Sequence, residues 1–182
     1  MLALARATLE AELAGGPMPA PPAADWAEWK RGAFVTLSDR QGTLRGCIGR
    51  VTPDQGVARI VGAMAIAAAR EDPRFPPVEA DELALLAIEI SVLSEPAPLD
   101  PVDPARIVIG RDGLVVRRGG AQGLLLPQVA PEFKWSPAEF LAATCRKAGL
   151  GAGAWREPGT RVLVFQADVF GETTLGGGAH AS

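Results

Sequence analysis

The sequence predicts an α+β fold, a mostly antiparallel sheet flanked by helices, and three features carry that expectation. Segments of strand composition come in pairs joined by tight turns, as at 32–39 and 44–51, which is how antiparallel neighbours are connected. Helical patterns stand between groups of strands instead of alternating strictly with them, which argues against a parallel sheet. The chain has 182 residues, 48% hydrophobic and 21% charged, enough to bury a core of its own.

The elements follow in order. Leu2, Leu4, Leu9 and Leu13 recur at helical spacing over 2–14, and Gly15-Gly16 supplies a stop. The proline-rich connection 17–24 runs extended. A hairpin follows, with GAFVTLSD at 32–39, a turn at RQG, and a second strand over 44–51 that contains LRGCIG. Thr52-Pro53 reads as a helix entry, with the helix continuing to Arg70 and ending at Asp72-Pro73. DPRFPPV at 72–78 is irregular, LLAIEISVL at 85–93 is a half-buried strand, and EPAPLDPVDP at 95–104 is a rigid linker. Asp112-Gly113 predicts a hairpin between 107–109 and 114–117. Gly119-Gly120 turns the chain again, Ser136-Pro137 starts a helix to Ala148 capped by Gly149, and RVLVFQADVF at 161–170 is the last strand.

Composition excludes several functional classes. A net charge of −3 provides no global positive field, so nucleic acid is not the expected partner. Runs such as IVGAMAIAAA at 60–69 are about half the ~20 apolar residues of a membrane-spanning helix. Arg6, Glu10 and Glu12 interrupt the apolar N-terminal pattern, unlike a secretory signal, so a cytoplasmic protein with no membrane association is expected. The two cysteines, Cys47 and Cys145, form no CxxC pair and are read as reduced thiols. The single histidine, His180, lies in the terminal GGGAHAS, which removes Ser-His and Cys-His catalysis. No metal-ligand spacing appears, and neither GLLLP nor GLGAG has the context of a phosphate-binding loop. No metal and no cofactor are expected.

LRGCIG is the segment with chemistry in it. In a strand, Arg45, Cys47 and Gly49 project to one face and Leu44, Gly46 and Ile48 to the other, and Gly49 leaves room beside the thiol. A guanidinium nearby favours a thiolate, the form that attacks electrophiles. The competing reading makes Cys47 a small core residue and the glycines sites of close helix packing. Cys145 reads as core, Trp135 and Trp155 as packing residues, and DPRF as a helix terminator with Phe75 buried and Arg74 solvated.

Seven blocks then resemble one family: GAFVTL (32–37), G-LRGCIG (42 and 44–49), DPRFPPV (72–78), IEISVLSEP (88–96), IGRDGLVV (109–116), GLLLPQVA (123–130) and C-KAGL (145 and 147–150). Their order is similar to that in AMMECR-domain proteins, whose bacterial branch is called AmmeMemoRadiSam system protein A. The resemblance spans Ala5 to Phe170. It implies a single AMMECR domain over 1–175 and a smaller subdomain with a cleft between it and the larger part, while the terminal GGGAHAS at 176–182 reads from its own composition as a mobile tail. It implies that Arg45, Gly46, Cys47 and Gly49 line the cleft and that Arg74 and Phe75 face it, with Pro127 and Gln128 as weaker carry-overs. Asp112 stands where several members carry His. The expected function is binding of an anionic small molecule or modified side chain through Arg45 and Arg74, with Cys47 as nucleophile, in a pathway with Memo-family and radical-SAM proteins. The alternatives are a non-catalytic scaffold subunit for those partners and an RNA-binding protein.

Overall fold

Helix α1, Leu2–Ala14, stops where the chain turns left-handed at Gly15, φ 64°, a conformation that costs glycine nothing. The computed structural model describes residues 1–172 and groups them into two units. The first is Met1–Val92 together with the chain from Asp168 onward, and the second is Leu93–Ala167. His180 and the 176–182 tail lie outside the described residues. Each unit has one antiparallel four-stranded sheet, as the predicted α+β class requires. No helix among the described residues is long and apolar enough to cross a membrane.

In the first unit, β1 (Ala33–Ser38) and β2 (Leu44–Arg50) form the predicted hairpin. β3 (Ala87–Leu93) pairs with the other side of β1, and β8 (Ala167–Gly171) completes the order β2-β1-β3-β8. Val35 and Leu37 of β1 and Ile88, Ile90 and Val92 of β3 point to one face, where α1 and α2 (Val57–Arg70) cover them. Ala5 and Leu9 of α1, and Ile60, Val61 and Ala65 of α2, complete this core. Arg6 ties the layers together: it pairs with Glu172 and donates to the carbonyls of Leu83 and Leu86, both at 2.8 Å. Glu172 in turn accepts the Ile88 N–H at 2.9 Å.

The second unit contains β4 (Ala97–Pro98), β5 (Gly113–Arg118), β6 (Ala121–Leu125) and β7 (Arg161–Phe165) in the order β4-β7-β5-β6. Two helices accompany them, the short α3 (Val129–Glu132) and α4 (Pro137–Lys147). Helix α4 begins with a capping box between Ser136 and Glu139, and Phe140, Leu141 and Cys145 of its inner face meet Leu114, Val116 and Val162.

Four expectations change. Helix α2 starts at Val57, not at Pro53, because its first N–H donates to the Trp29 carbonyl at 2.8 Å; a tertiary contact selects the start over the Thr-Pro signal. The linker 95–104 contains β4, whose Pro98 is tolerated at a sheet edge. Residues 107–109 are not a strand, since the Asp112 side chain folds back to the Val108 N–H; the hairpin forms instead through Gly119-Gly120. The apparent last strand 161–170 breaks at Gln166 into β7 and β8, which join different sheets.

Two glycines admit helices. A Cβ built on Gly46 in β2 would lie 2.1 Å from the Ala68 carbonyl oxygen of α2, and one on Gly123 in β6 would lie 2.4 Å from the Ala148 nitrogen just past α4. These are backbone collisions, so the helices must withdraw if a side chain is added. The three atoms nearest a Cβ on Gly49 all belong to the Phe34 ring, the closest at 2.2 Å, and a side chain, unlike backbone, can yield by changing rotamer. We therefore expect Gly46→Ala to cost about 3 kcal/mol or more and Gly49→Ala about 1–2 kcal/mol in urea unfolding. Equal costs would contradict this assignment of the two glycines.

Candidate functional site

The residues singled out in LRGCIG and DPRF meet at the free edge of the first sheet. Strand β2 is an edge strand, so alternate backbone groups have no strand to pair with. The Cys47 N–H points outward and donates to Asp72 Oδ2 at 2.8 Å, and the Cys47 carbonyl accepts from the Arg74 guanidinium at 3.3 Å. The loop following α2 thus satisfies the edge with side chains in place of another strand.

Asp72 centres this arrangement. Its side chain is 2% exposed, and it accepts from the Arg74 N–H and from Arg74 Nε as well as from Cys47. Pro73 follows in a turn closed by the Phe75 N–H on the Asp72 carbonyl at 3.2 Å. The Arg74 hydrogen bonds, with the Cys47 N–H, overcome the cost of burial and hold the Asp72 carboxyl far below the usual carboxylate range. The same pairing raises Arg74. Arg74 remains 53% exposed, and its guanidinium lies 5.4 Å from the ring of half-buried Phe75.

Arg45 fastens the rest of the loop. It forks onto Glu82 at 2.6 and 3.0 Å and donates to the carbonyls of Pro76 and Pro77 at 2.8 and 3.3 Å. Its side chain is 16% exposed. The guanidinium also lowers the Glu82 carboxyl, chiefly through its hydrogen bonds. Arg50 pairs with Asp54. Each of these three arginines therefore already holds a carboxylate, and an anionic ligand at Arg45 or Arg74 has to displace one.

The thiol faces the other way from α2. Cys47 stands opposite Thr36, and Thr36 stands opposite Glu89 of β3, so three side chains share a row on the face away from the helix-covered core. Because the Cys47 N–H and carbonyl point off the edge, this is a non-hydrogen-bonded pair, the kind that brings side chains closest. Thr36 Oγ1 donates to Cys47 Sγ at 3.2 Å. The cysteine is half-buried, unlike Cys145, which is 0% exposed and whose thiol burial pushes up. Gly49 does not leave open space beside it as expected, because the Phe34 ring lies over Gly49 from the neighbouring strand.

Arg45, Cys47, Arg74 and Phe75 are thus brought together, Gly46 serves the contact with α2, and Gly49 serves Phe34. Gln128 lies in the second unit, exposed just before α3, next to buried Pro127. Sequence reasoning missed Asp72, Glu82 and Thr36. Asp72 was read only as a helix stop, although an Asp two residues before an Arg is spaced for a local fork. Thr36 follows from the hairpin register, which a shift between Leu37 and Ser38 obscures.

Asp72→Asn should lower stability by about 2 kcal/mol at neutral pH, as one charge-assisted contact to Arg74 and part of the Cys47 cap are lost. The contribution of the depressed Asp72 carboxyl is complete above its ordinary value of 3.8 and is lost as pH falls below that value. Thermal unfolding should therefore show a smaller decline in Asp72→Asn than in the wild type between about pH 4 and pH 2. Parallel acid profiles would contradict this role.

Comparison with known proteins agrees with the blocks quoted above. The AMMECR1 family model matches residues 2–170. A Methanothermobacter thermautotrophicus protein is 50% identical over 147 residues, covering 79% of this chain and 76% of its own. A Thermoplasma acidophilum protein is 44% identical over 173 residues, with 93% and 84% covered. The crystal structure of an uncharacterised protein from Pyrococcus horikoshii superposes with a TM-score of 0.84 at 42% identity, covering 94% of this chain and 89% of that one. The chain belongs to the AMMECR1 family.

Proposed function

We propose that the chain binds a small electrophilic molecule or modified side chain at Cys47, with the thiol as nucleophile, in the pathway of Memo-family and radical-SAM proteins that the resemblance implies. The observation that carries this reading is the position of the thiol. It is half-buried on the face away from α2, oriented by the Thr36 hydroxyl, on a strand edge fixed by Asp72 and Arg74. A thiol adding to the carbon of a C=O or activated C=C bond forms a C–S bond as the π bond opens, and the thiol proton passes to the far end of that opened bond. The expected anionic character of the ligand finds less support, because Arg45 and Arg74 hold Glu82 and Asp72.

A second reading makes the protein a non-catalytic subunit that docks those partners. It is favoured by an apolar groove of about 440 Å³ in the first unit, lined by Met1, Leu2, Ala3, Trp26, Trp29 and Phe170, with Trp29 and Phe170 exposed. RNA binding has no comparable support, given the paired arginines and the acidic balance.

Iodoacetamide labelling followed by peptide mass spectrometry tests the first reading. Cys47 should be modified at least about tenfold faster than Cys145, and the low-molecular-mass fraction of a cell extract should protect it. A Cys47 as inert as Cys145 defeats the nucleophile. Co-purification tests the second: Trp29→Glu should abolish partner capture while Cys47→Ala retains both capture and pathway activity. Loss of that activity in Cys47→Ala would instead favour chemistry.

A further inference from the structure

The second unit holds two arginines whose placement the Cys47 reading does not use. Arg106 and Arg111 line a cavity of about 310 Å³ together with Ser94, Gln166 and, on its apolar side, Leu99, Val164 and Phe165. Both guanidiniums are held by hydrogen bonds within the unit. Arg111 Nε and NH2 fork onto Asp112 at 2.7 and 2.9 Å, and Asp112 is 1% exposed while Arg111 is 55% exposed. Burial raises the Asp112 carboxyl, but the Arg111 and Val108 hydrogen bonds outweigh it and keep the group ionised. Arg106 NH1 donates to the carbonyls of Asp100 and Pro101 at 3.0 and 3.1 Å. Those contacts fix the side chain without neutralising it, and Arg106 makes no ion pair among the described residues. Its Nε and NH2 remain available as donors there.

Charge and lining define the ligand. Arg111 is balanced by Asp112, which leaves Arg106 as the lining cation without an ion pair among the described residues, while exposed Glu95 in the same lining brings its formal charge to zero and disfavours a ligand with more than one negative charge. A phosphate dianion fits that balance poorly. A single carboxylate fits it, and the guanidinium fork suits a carboxylate's two oxygens. Exposed Pro98 and half-buried Val164, backed by buried Leu99 and Phe165, give the cavity an apolar side against which an apolar body can lie.

We propose that this cavity binds a small monocarboxylate with an apolar body, its carboxylate on the Nε and NH2 donors of Arg106. None of its lining residues belongs to the Cys47 site, and the proposal stands whether or not the thiol reacts.

Titration of the intact protein with acetate, isobutyrate, benzoate and neutral benzamide, followed by amide chemical shifts of Ala97 and Gln166, tests it. Benzoate or isobutyrate should saturate these shifts at millimolar concentration or below, more tightly than acetate, while benzamide should not. Arg106→Gln should weaken binding at least about tenfold, the loss of one charge-assisted contact. Glu95→Gln, a surface change that does not threaten folding, should tighten it severalfold, and Arg117→Gln, outside the cavity, should leave it unchanged. Cys47→Ser should also leave it unchanged, which separates this site from the thiol reading. Equal binding of benzamide and benzoate, no tightening in Glu95→Gln, or no saturable binding of any carboxylate would overturn the proposal. Tighter binding of inorganic phosphate than of benzoate would overturn it too.

Discussion

A buried carboxylate at the exit of a helix determines how the first unit presents its thiol. Asp72 lies just past α2, where Pro73 keeps the helix from continuing, and its side chain reaches the backbone of β2 and closes the sheet edge. An open strand edge invites pairing with another chain, and a charged loop laid along it blocks that outcome. Here the loop has three fastenings: Asp72 to the Cys47 N–H, Arg74 to the Cys47 carbonyl, and Arg45 to the Pro76 and Pro77 carbonyls. Arg74 and Asp72 neutralise each other, as do Arg45 and Glu82, so the clamp adds no net charge to the strand edge.

Glycine sets the spacing of both units. Each sheet has an edge-strand glycine against helix backbone, Gly46 against α2 and Gly123 against the end of α4, so the helices sit closer than a Cβ allows. Each sheet also places a phenylalanine ring over a cross-strand glycine, Phe34 over Gly49 and Phe165 over Gly113. The ring covers a stretch of strand that has no side chain of its own to pack. The paired glycines of LRGCIG therefore have different duties, one on each face of the same strand.

Local signals were legible in the sequence, and tertiary substitutions for them were not. The 32–51 hairpin, the Gly15 stop and the Ser136/Glu139 cap follow from residues that act on their own neighbours. The start of α2 depends on the Trp29 carbonyl, and the role of Asp112-Gly113 depends on a carboxylate folding back to Val108; neither partner is visible in a local pattern. RVLVFQADVF keeps strand composition throughout, so nothing in it announces that the chain changes sheets at Gln166. At the site, strand alternation correctly separated Cys47 from Gly46. It could not reveal that Arg45 is already occupied, since Glu82 is 37 residues away in sequence, whereas the Asp72–Arg74 fork, two residues apart, was open to a local reading.

What remains for chemistry is a thiol whose backbone is fixed and whose side chain is oriented by a hydroxyl, on a strand where the surrounding charges cancel locally. That account depends on the Asp72 bond to the strand edge, and amide hydrogen exchange at Cys47 reads the bond directly. The Cys47 N–H should exchange slowly in the wild type although no strand lies beside it, and should lose most of its protection in Asp72→Ala while the Val35 and Ile90 amides in the same sheet keep theirs. Rapid exchange of the Cys47 amide in the wild type, or protection unchanged by removing the carboxylate, would contradict it.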